Sequence, residues 1–208
     1  SVLIRSMDRA SLTEALASVA AQTYQSLEVV LVNAKGGVHR DVGLQCGNVP
    51  IRLIDSGSRL ARSAAANVAL EQALGAYLIF LDDDDLMDAG HIASLIVALE
   101  KFPQCQAAFS GTRVTDALGA TQGVYSHTYS PQQLLVGNFL PIHAVLFSRA
   151  LVQAGCRFDT TLETYEDWDF WLQVSRHTTF TPTGVVSAIY RAYLGNSGMS
   201  QADDRLLQ

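Results

Sequence analysis

Tyr77-Leu78-Ile79-Phe80-Leu81-Asp82-Asp83-Asp84-Asp85, YLIFLDDDD, decides how the rest of the chain is read. The apolar run predicts a buried strand, and the strand stops in a block of negative charge. Four adjacent carboxylates repel one another, and the low-dielectric end of a strand screens them poorly. A cation, or a ligand that carries one, relieves that repulsion. A solvated acidic turn is the competing reading, because most charge runs are solvated faces.

Working outward, short apolar runs alternate with helical patterns. Val2-Leu3-Ile4, Leu27 to Val32 and Ile51 to Ile54 are predicted strands before Tyr77 to Leu81. Between them Leu12, Leu16, Val19 and Ala20 recur at helical spacing, with Ser11 and Glu14 as a capping pair. Ala64 to Leu74 is Ala-rich and helical, with Gly75 as its expected cap residue. Ile92, Leu95, Ile96 and Leu99 make an amphipathic helix that stops near Pro103. Strands alternating with helices predict an α/β fold with a mostly parallel central sheet. The second half is less regular. Strands are expected at Ala107 to Thr115, Val145 to Ser148 and Val185 to Tyr193, with helices after Pro131 and over Tyr165 to Arg176. No linker or repeat divides the 208 residues, so one domain is expected over 1–208, with a nucleotide-binding half (1–115) and an irregular acceptor-side half (116–208).

In open parallel sheets, ligands bind beyond the carboxyl ends of the strands. Asp82 to Asp85 occupy such an end. So do Ser6-Met7-Asp8-Arg9 after the first strand and Asn33-Ala34-Lys35-Gly36-Gly37 after the second. Three loops are therefore expected to converge on one crevice, which favours a site over a solvated turn.

Composition excludes other classes. The net charge is -6 and only two residues are Lys, so no basic stripe serves a nucleic acid. No apolar run approaches the ~18 residues of a membrane span, and the start lacks the pattern of a signal peptide. The chain does not begin with Met, which leaves open a longer parent. Cys46, Cys105 and Cys156 form no CxxC and are expected to be idle thiols of a reducing compartment.

Oxygen-only ligands favour Mg²⁺ or Mn²⁺, ions that keep open positions for phosphate oxygens. Asp82 with Asp84 forms a DxD pair suited to a metal that bridges a diphosphate. Arg62, just before the Ala-rich helix, presents a planar fork for the same phosphates, or is simply an exposed helix-start Arg. Tyr165-Glu166-Asp167-Trp168-Asp169 sets three carboxylates among aromatic rings, where a raised pKa suits a general base. An acid-rich helix N-terminus, favoured by the macrodipole, explains the same residues. Of the five His, none has metal-ligand spacing, and His143 is the one expected to line a cleft.

SVLIRSMDRASLTEALASVAAQTYQSLEVVLV, RSAAANVALEQALGAYLIFLDDDD and HAVLFSRALVQAGCRFDTTLETYEDWDFWLQV, in this order and spacing, resemble the family-two inverting glycosyltransferases with the GT-A fold. The resemblance spans roughly residues 1 to 193. It implies a Rossmann-like sheet flanked by helices and a sugar moved from a nucleotide-diphosphate sugar, UDP-sugar by default. The acceptor it implies is a hydroxyl of a glycan or lipid-linked sugar, in polysaccharide or lipopolysaccharide synthesis. It implies Asp84 as metal ligand, with Asp82 or Asp83 on the ribose or the metal. Asp167 is implied as general base, Arg62 near the diphosphate, and Ser6 and Met7 near the base and ribose. A cytoplasmic enzyme, peripheral at the inner face of the membrane, follows family habit.

Three departures qualify the resemblance. Family members usually carry Pro-Thr-Tyr-Asn where this chain has Arg5-Ser6-Met7-Asp8, so Met7 replaces a stacking ring. Asn33-Ala34-Lys35-Gly36 stands for the usual Asp-Asp-Gly-Ser, leaving an Asn carbonyl to accept a base N–H. No His follows Tyr190-Arg191. The nucleobase is thus open between UDP, dTDP and GDP. A GT-A binding module with weak or no transferase activity is the alternative function. A two-carboxylate glycosidase fits poorly, because it leaves the strand-end site unexplained.

Overall fold

A computed structural model describes residues 1–162 and 164–192. Four strands are parallel neighbours at the centre of the sheet. β1 (Val2–Ser6) pairs with β2 (Val29–Asn33) on one side and β5 (Tyr77–Phe80) on the other, and β2 pairs with β4 (Val49–Asp55). A two-residue strand, β3 (Gln45–Cys46), runs antiparallel at the edge. Beyond β5 the sheet becomes mixed. β9 (Val145–Ser148) lies antiparallel between β5 and β7 (Ala107–Thr115), and β10 (Phe180–Tyr190) runs parallel to β7. β6 (Leu86–Met87) and β8 (Thr121–Tyr125) add antiparallel edges.

Alternation along β1 divides the core into two layers. Val2 and Ile4 pack with helices α1 (Leu12–Ala20) and α3 (His91–Lys101). Leu3 faces the opposite layer, with α2 (Arg62–Gln72), Phe80, Phe147 and Trp171. Trp171 belongs to α6 (Glu166–Ser175); α4 (Pro131–Val136) and α5 (Arg149–Gln153) are shorter α-helices. Phe158 and Phe170 stack with centroids 4.4 Å apart inside this second layer.

Several expectations are corrected. Ser11 precedes α1 but makes no side-chain cap, and Glu14 instead accepts from Arg191 across the molecule. α2 ends at Gln72, and Gly75 is not its cap. Its amide donates to Ser1 Oγ at 2.9 Å, and a Cβ there would lie 2.6 Å from the Ser1 nitrogen. β10 begins at Phe180, five residues before the expected start, because β7 supplies a parallel partner from Ala107 onward. Tyr193, its expected last residue, lies outside the described residues, as does the 193–208 tail of the expected acceptor-side half.

Candidate active site

The aspartate block is a turn at the end of β5, closed by the Asp85 amide donating to the Asp82 carbonyl at 3.1 Å. Each carboxylate has its own surroundings. Both Asp82 oxygens accept from Arg5, whose Nε and terminal nitrogen stand 2.7–2.9 Å away. Burial opposes the charge on Asp82, yet the Arg5 guanidinium holds its carboxyl below the ordinary range. Asp83 is fully buried. It accepts from the Met7 amide at 2.7 Å and from Arg9 at 2.8 Å, with Ser6 Oγ at 3.4 Å. Asp84 accepts from Arg9 through one oxygen at 2.7 Å. Burial, reinforced by Asp82 and Asp85, pushes the Asp84 carboxyl up to about 6. Burial also pushes Asp85 up to about 7, although the Arg191 amide donates to it at 3.0 Å. His143 Nδ1 lies 3.3 Å from Asp85 Oδ2 but off hydrogen-bond geometry, and among the described residues neither ring nitrogen of His143 has a hydrogen-bond partner. Burial lowers His143 to about 4, so at neutral pH the ring is uncharged.

The facing group comes from the start of α6. Tyr165 takes a left-handed conformation, φ 60°, ψ 21°, and turns the chain into the helix. Glu166 is buried and accepts from Arg5 at 3.1 Å, with Arg62 at 3.6 Å from the same oxygen. Asp167 accepts from Asn138 Nδ2 at 3.0 Å and from the Trp168 amide at 2.8 Å. Burial, with Glu166 beside it, pushes the Asp167 carboxyl up to about 6. The indoles anchor this helix: Trp168 donates to the Leu134 carbonyl at 2.6 Å and Trp171 to the Leu140 carbonyl at 2.9 Å.

A cleft of about 850 Å³ opens between these groups. Of the expected site residues, Met7, Arg62, Asp82, Asp84 and Asp167 line it, and so does His143. Ser6, Asn33 and Asp83 do not; they lie buried behind its wall. Asn33 donates to the Gly37 carbonyl at 2.8 Å, and its own carbonyl oxygen is buried without a hydrogen-bond partner among the described residues. Sequence reasoning gave no role to Arg5 or Asn138 and named Arg9 and Glu166 only as members of the loop after the first strand and of the acid cluster; all four line the cleft. An Arg inside an otherwise apolar strand was the signal for Arg5. Among the described residues no three Asp, Glu, His or Cys side chains are gathered so as to enclose a metal ion.

The family model for glycosyl transferase family 2 matches residues 1–151. The chain belongs to this family. An uncharacterized family relative, the glycosyltransferase YwdF of Bacillus subtilis, is 25% identical over 202 residues, covering 93% of this chain and 73% of YwdF. An uncharacterized glycosyltransferase of Haemophilus influenzae is 25% identical over 190 residues, covering 88% of this chain and 64% of its own. Among solved structures, TarS 1–349 of S. aureus in complex with UDP-GlcNAc superposes with a TM-score of 0.77 at 17% identity. The match covers 96% of this chain and 60% of TarS 1–349; the same protein with UDP gives 0.73. The family-2 chain thus shares the GT-A fold of TarS and spans about three fifths of that TarS segment.

Proposed function

We propose that the chain is a metal-dependent inverting glycosyltransferase that moves a sugar from a nucleoside-diphosphate sugar to a hydroxyl of a glycan or lipid-linked acceptor. UDP is the default nucleotide, as in the TarS complexes. The observation that carries the reading is Asp167. It is a carboxylate held by Asn138, pushed up to about 6, in the same cleft as the aspartate block. A base poised near neutral pH suits proton removal from a hydroxyl.

In this reading Asp167 accepts the proton of the acceptor hydroxyl as that oxygen attacks the anomeric carbon. The new carbon–oxygen bond forms opposite the leaving group. The bond from the anomeric carbon to the β-phosphate oxygen breaks, and its electron pair leaves with the nucleoside diphosphate. The configuration inverts. Arg9, Arg59 and Arg62 line the cleft and supply fixed positive charge for the diphosphate. Met7, Ala34 and Leu60 offer an apolar seat for the base.

The donor set fits Mg²⁺ or Mn²⁺. Such ions are held by one or two carboxylates and by substrate phosphates, without a protein cage. Asp84 lines the cleft, uses one oxygen on Arg9, and carries repulsion from Asp82 and Asp85 that a cation relieves. When bound, the ion neutralises charge on the leaving diphosphate. No helix among the described residues is long and apolar enough to cross a membrane. We place the enzyme in the cytoplasm, where nucleotide sugars are made, and at the membrane face when the acceptor is lipid-linked.

The test is nucleotide release across a donor panel with Mn²⁺ and mixed acceptors. Asp167→Asn is expected to bind UDP as the parent does and to lose transfer by at least ~10²-fold, the scale of general-base catalysis. Full activity in that variant refutes the base. Nucleotide binding without turnover by the parent, on every donor and acceptor, supports a binding module instead.

A further inference from the structure

Position 5 of β1 belongs to the core by alternation. Leu3, two residues earlier, is fully buried in the layer that contains Phe80, and Arg5 follows it on that face. Its guanidinium carbon lies 5.7 Å from the Phe80 ring centroid, and the residue is only 6% exposed. A buried unpaired charge is strongly unfavourable, so the residue requires partners. It has two, from distant parts of the chain. Nε and one terminal nitrogen hold both oxygens of Asp82, and the other terminal nitrogen donates to Glu166 Oε1 at 3.1 Å.

Those partners stand on separate elements. Asp82 follows β5, and Glu166 opens α6 one residue before Asp167. Glu166 is buried too, so its carboxylate is held by Arg5 and, at 3.6 Å, by Arg62. One planar fork therefore spans the aspartate turn and the helix start. A Lys ammonium is a point charge and cannot reproduce that two-sided geometry.

We propose that Arg5 is a positioning residue that locks the first turn of α6 to the Asp82 turn, and so fixes where Asp167 stands relative to the donor. The inference rests on the reading of Asp167 as general base. It also changes the role of Asp82. With both oxygens on Arg5, Asp82 is the anchor of this lock, and Asp84 is the carboxylate presented to a diphosphate-bound cation.

The experiment compares Arg5→Lys, Glu166→Gln and the double variant with the parent, measuring kcat, donor KM and UDP affinity by calorimetry. Arg5→Lys is expected to lower kcat at least 30-fold while donor KM and UDP affinity change less than threefold. Glu166→Gln is expected to lower kcat alone by at least fivefold. In the Arg5→Lys background the same substitution is expected to cost less than twofold, because the lock is already broken. An unchanged kcat in Arg5→Lys, a loss carried by KM and UDP affinity, or losses that multiply in the double variant each overturn the inference. Where Arg5→Lys does not fold, Glu166→Gln decides: an unchanged kcat overturns the lock. A parent that turns over no donor, or an active Asp167→Asn, defeats the underlying function and not the lock.

Discussion

Asn33 shows how one residue departs from a family pattern for a local reason. β2 and β4 pair in register so that Asn33 lies opposite Asp55, and its amide nitrogen is 3.4 Å from the Asp55 carboxylate and 2.8 Å from the Gly37 carbonyl. An Asp here would lose the donor to Gly37 and face a second carboxylate. Asn33→Asp is expected to destabilise the fold by about 2 kcal/mol, the scale of a buried polar group left unpaired beside a like charge. Urea denaturation checks it; an unchanged midpoint refutes the account. Asp167 yields a pH prediction. As the proposed base, Asp167 must be ionised to act, and its carboxyl is pushed up to about 6. Hence kcat is expected to be flat above about pH 7 and to fall tenfold per pH unit below the limb near 6. A rate profile without a limb between about pH 5 and 7 contradicts it. The acids at 166, 167 and 169 were visible in the sequence, and the resemblance singled out Asp167, but that Glu166 also lines the cleft, tied to Arg5, was not. That depends on the left-handed turn at Tyr165 and on Arg5, which neutralises Glu166 from 161 residues away. The pairings of Arg5 with Asp82 and Glu166, of Arg9 with Asp83 and Asp84, and of Asn138 with Asp167 escaped notice because local pattern reports no partner so distant in sequence.

At the scale of elements, strong hydrophobic periods were legible and short or cross-linked pieces were not. β7 and β9 fall at the expected residues, and β1, β2, β4 and β5 within two residues at each end, because buried apolar runs bounded by polar loops are sheet strands. The two-residue strands β3 and β6 carry no period of their own. β8, TQGVY, is half polar and exists because β7 offers an antiparallel edge. Gly75 was visible as a glycine near a helix end, but its reason is the approach of Ser1, a contact 74 residues away. The loop after β2 makes a comparable demand. Gly36 has φ +76°, and a Cβ would lie 2.6 Å from the Arg59 backbone nitrogen. That contact joins the loop after β2 to the segment before α2, whose Arg59, Leu60 and Ala61 line the cleft. Gly36→Ala is expected to cost about 2 kcal/mol or more, the left-handed penalty of a residue with a Cβ plus a backbone clash. It is also expected to weaken UDP binding, since both segments must move apart. Thermal melts and calorimetry read the two effects, and wild-type values for both refute the claim that this contact shapes the wall.

On the scale of the whole molecule, the cleft lies where a parallel half meets a mixed half, and it draws its residues from both. Arg5, Asp82 and Arg62 come from the first; Asn138, Glu166 and Asp167 come from the second. A ligand seated there touches both halves in the folded state and neither in the unfolded one, so binding must add to stability. At UDP one hundred times its dissociation constant the gain is about 2.7 kcal/mol, or roughly 5–10 °C in melting temperature for a chain of this size. Mn²⁺ is expected to enlarge that shift, and pH to govern the enlargement through Asp84. The Asp84 carboxyl is raised to about 6, so it holds its proton at higher pH than a free Asp. A cation requires the ionised form. The Mn²⁺ increment should therefore be complete above about pH 7 and fade as pH falls through 6. Taking the difference with and without Mn²⁺ at each pH cancels the pH dependence of the fold itself. Binding needs no general base, so this measurement is independent of the Asp167 limb in kcat. Asp84→Asn should retain the shift from UDP alone and lose the Mn²⁺ increment at every pH. An increment that survives in Asp84→Asn, or that is constant from pH 5 to 8, would show that the cation is held elsewhere in the cleft.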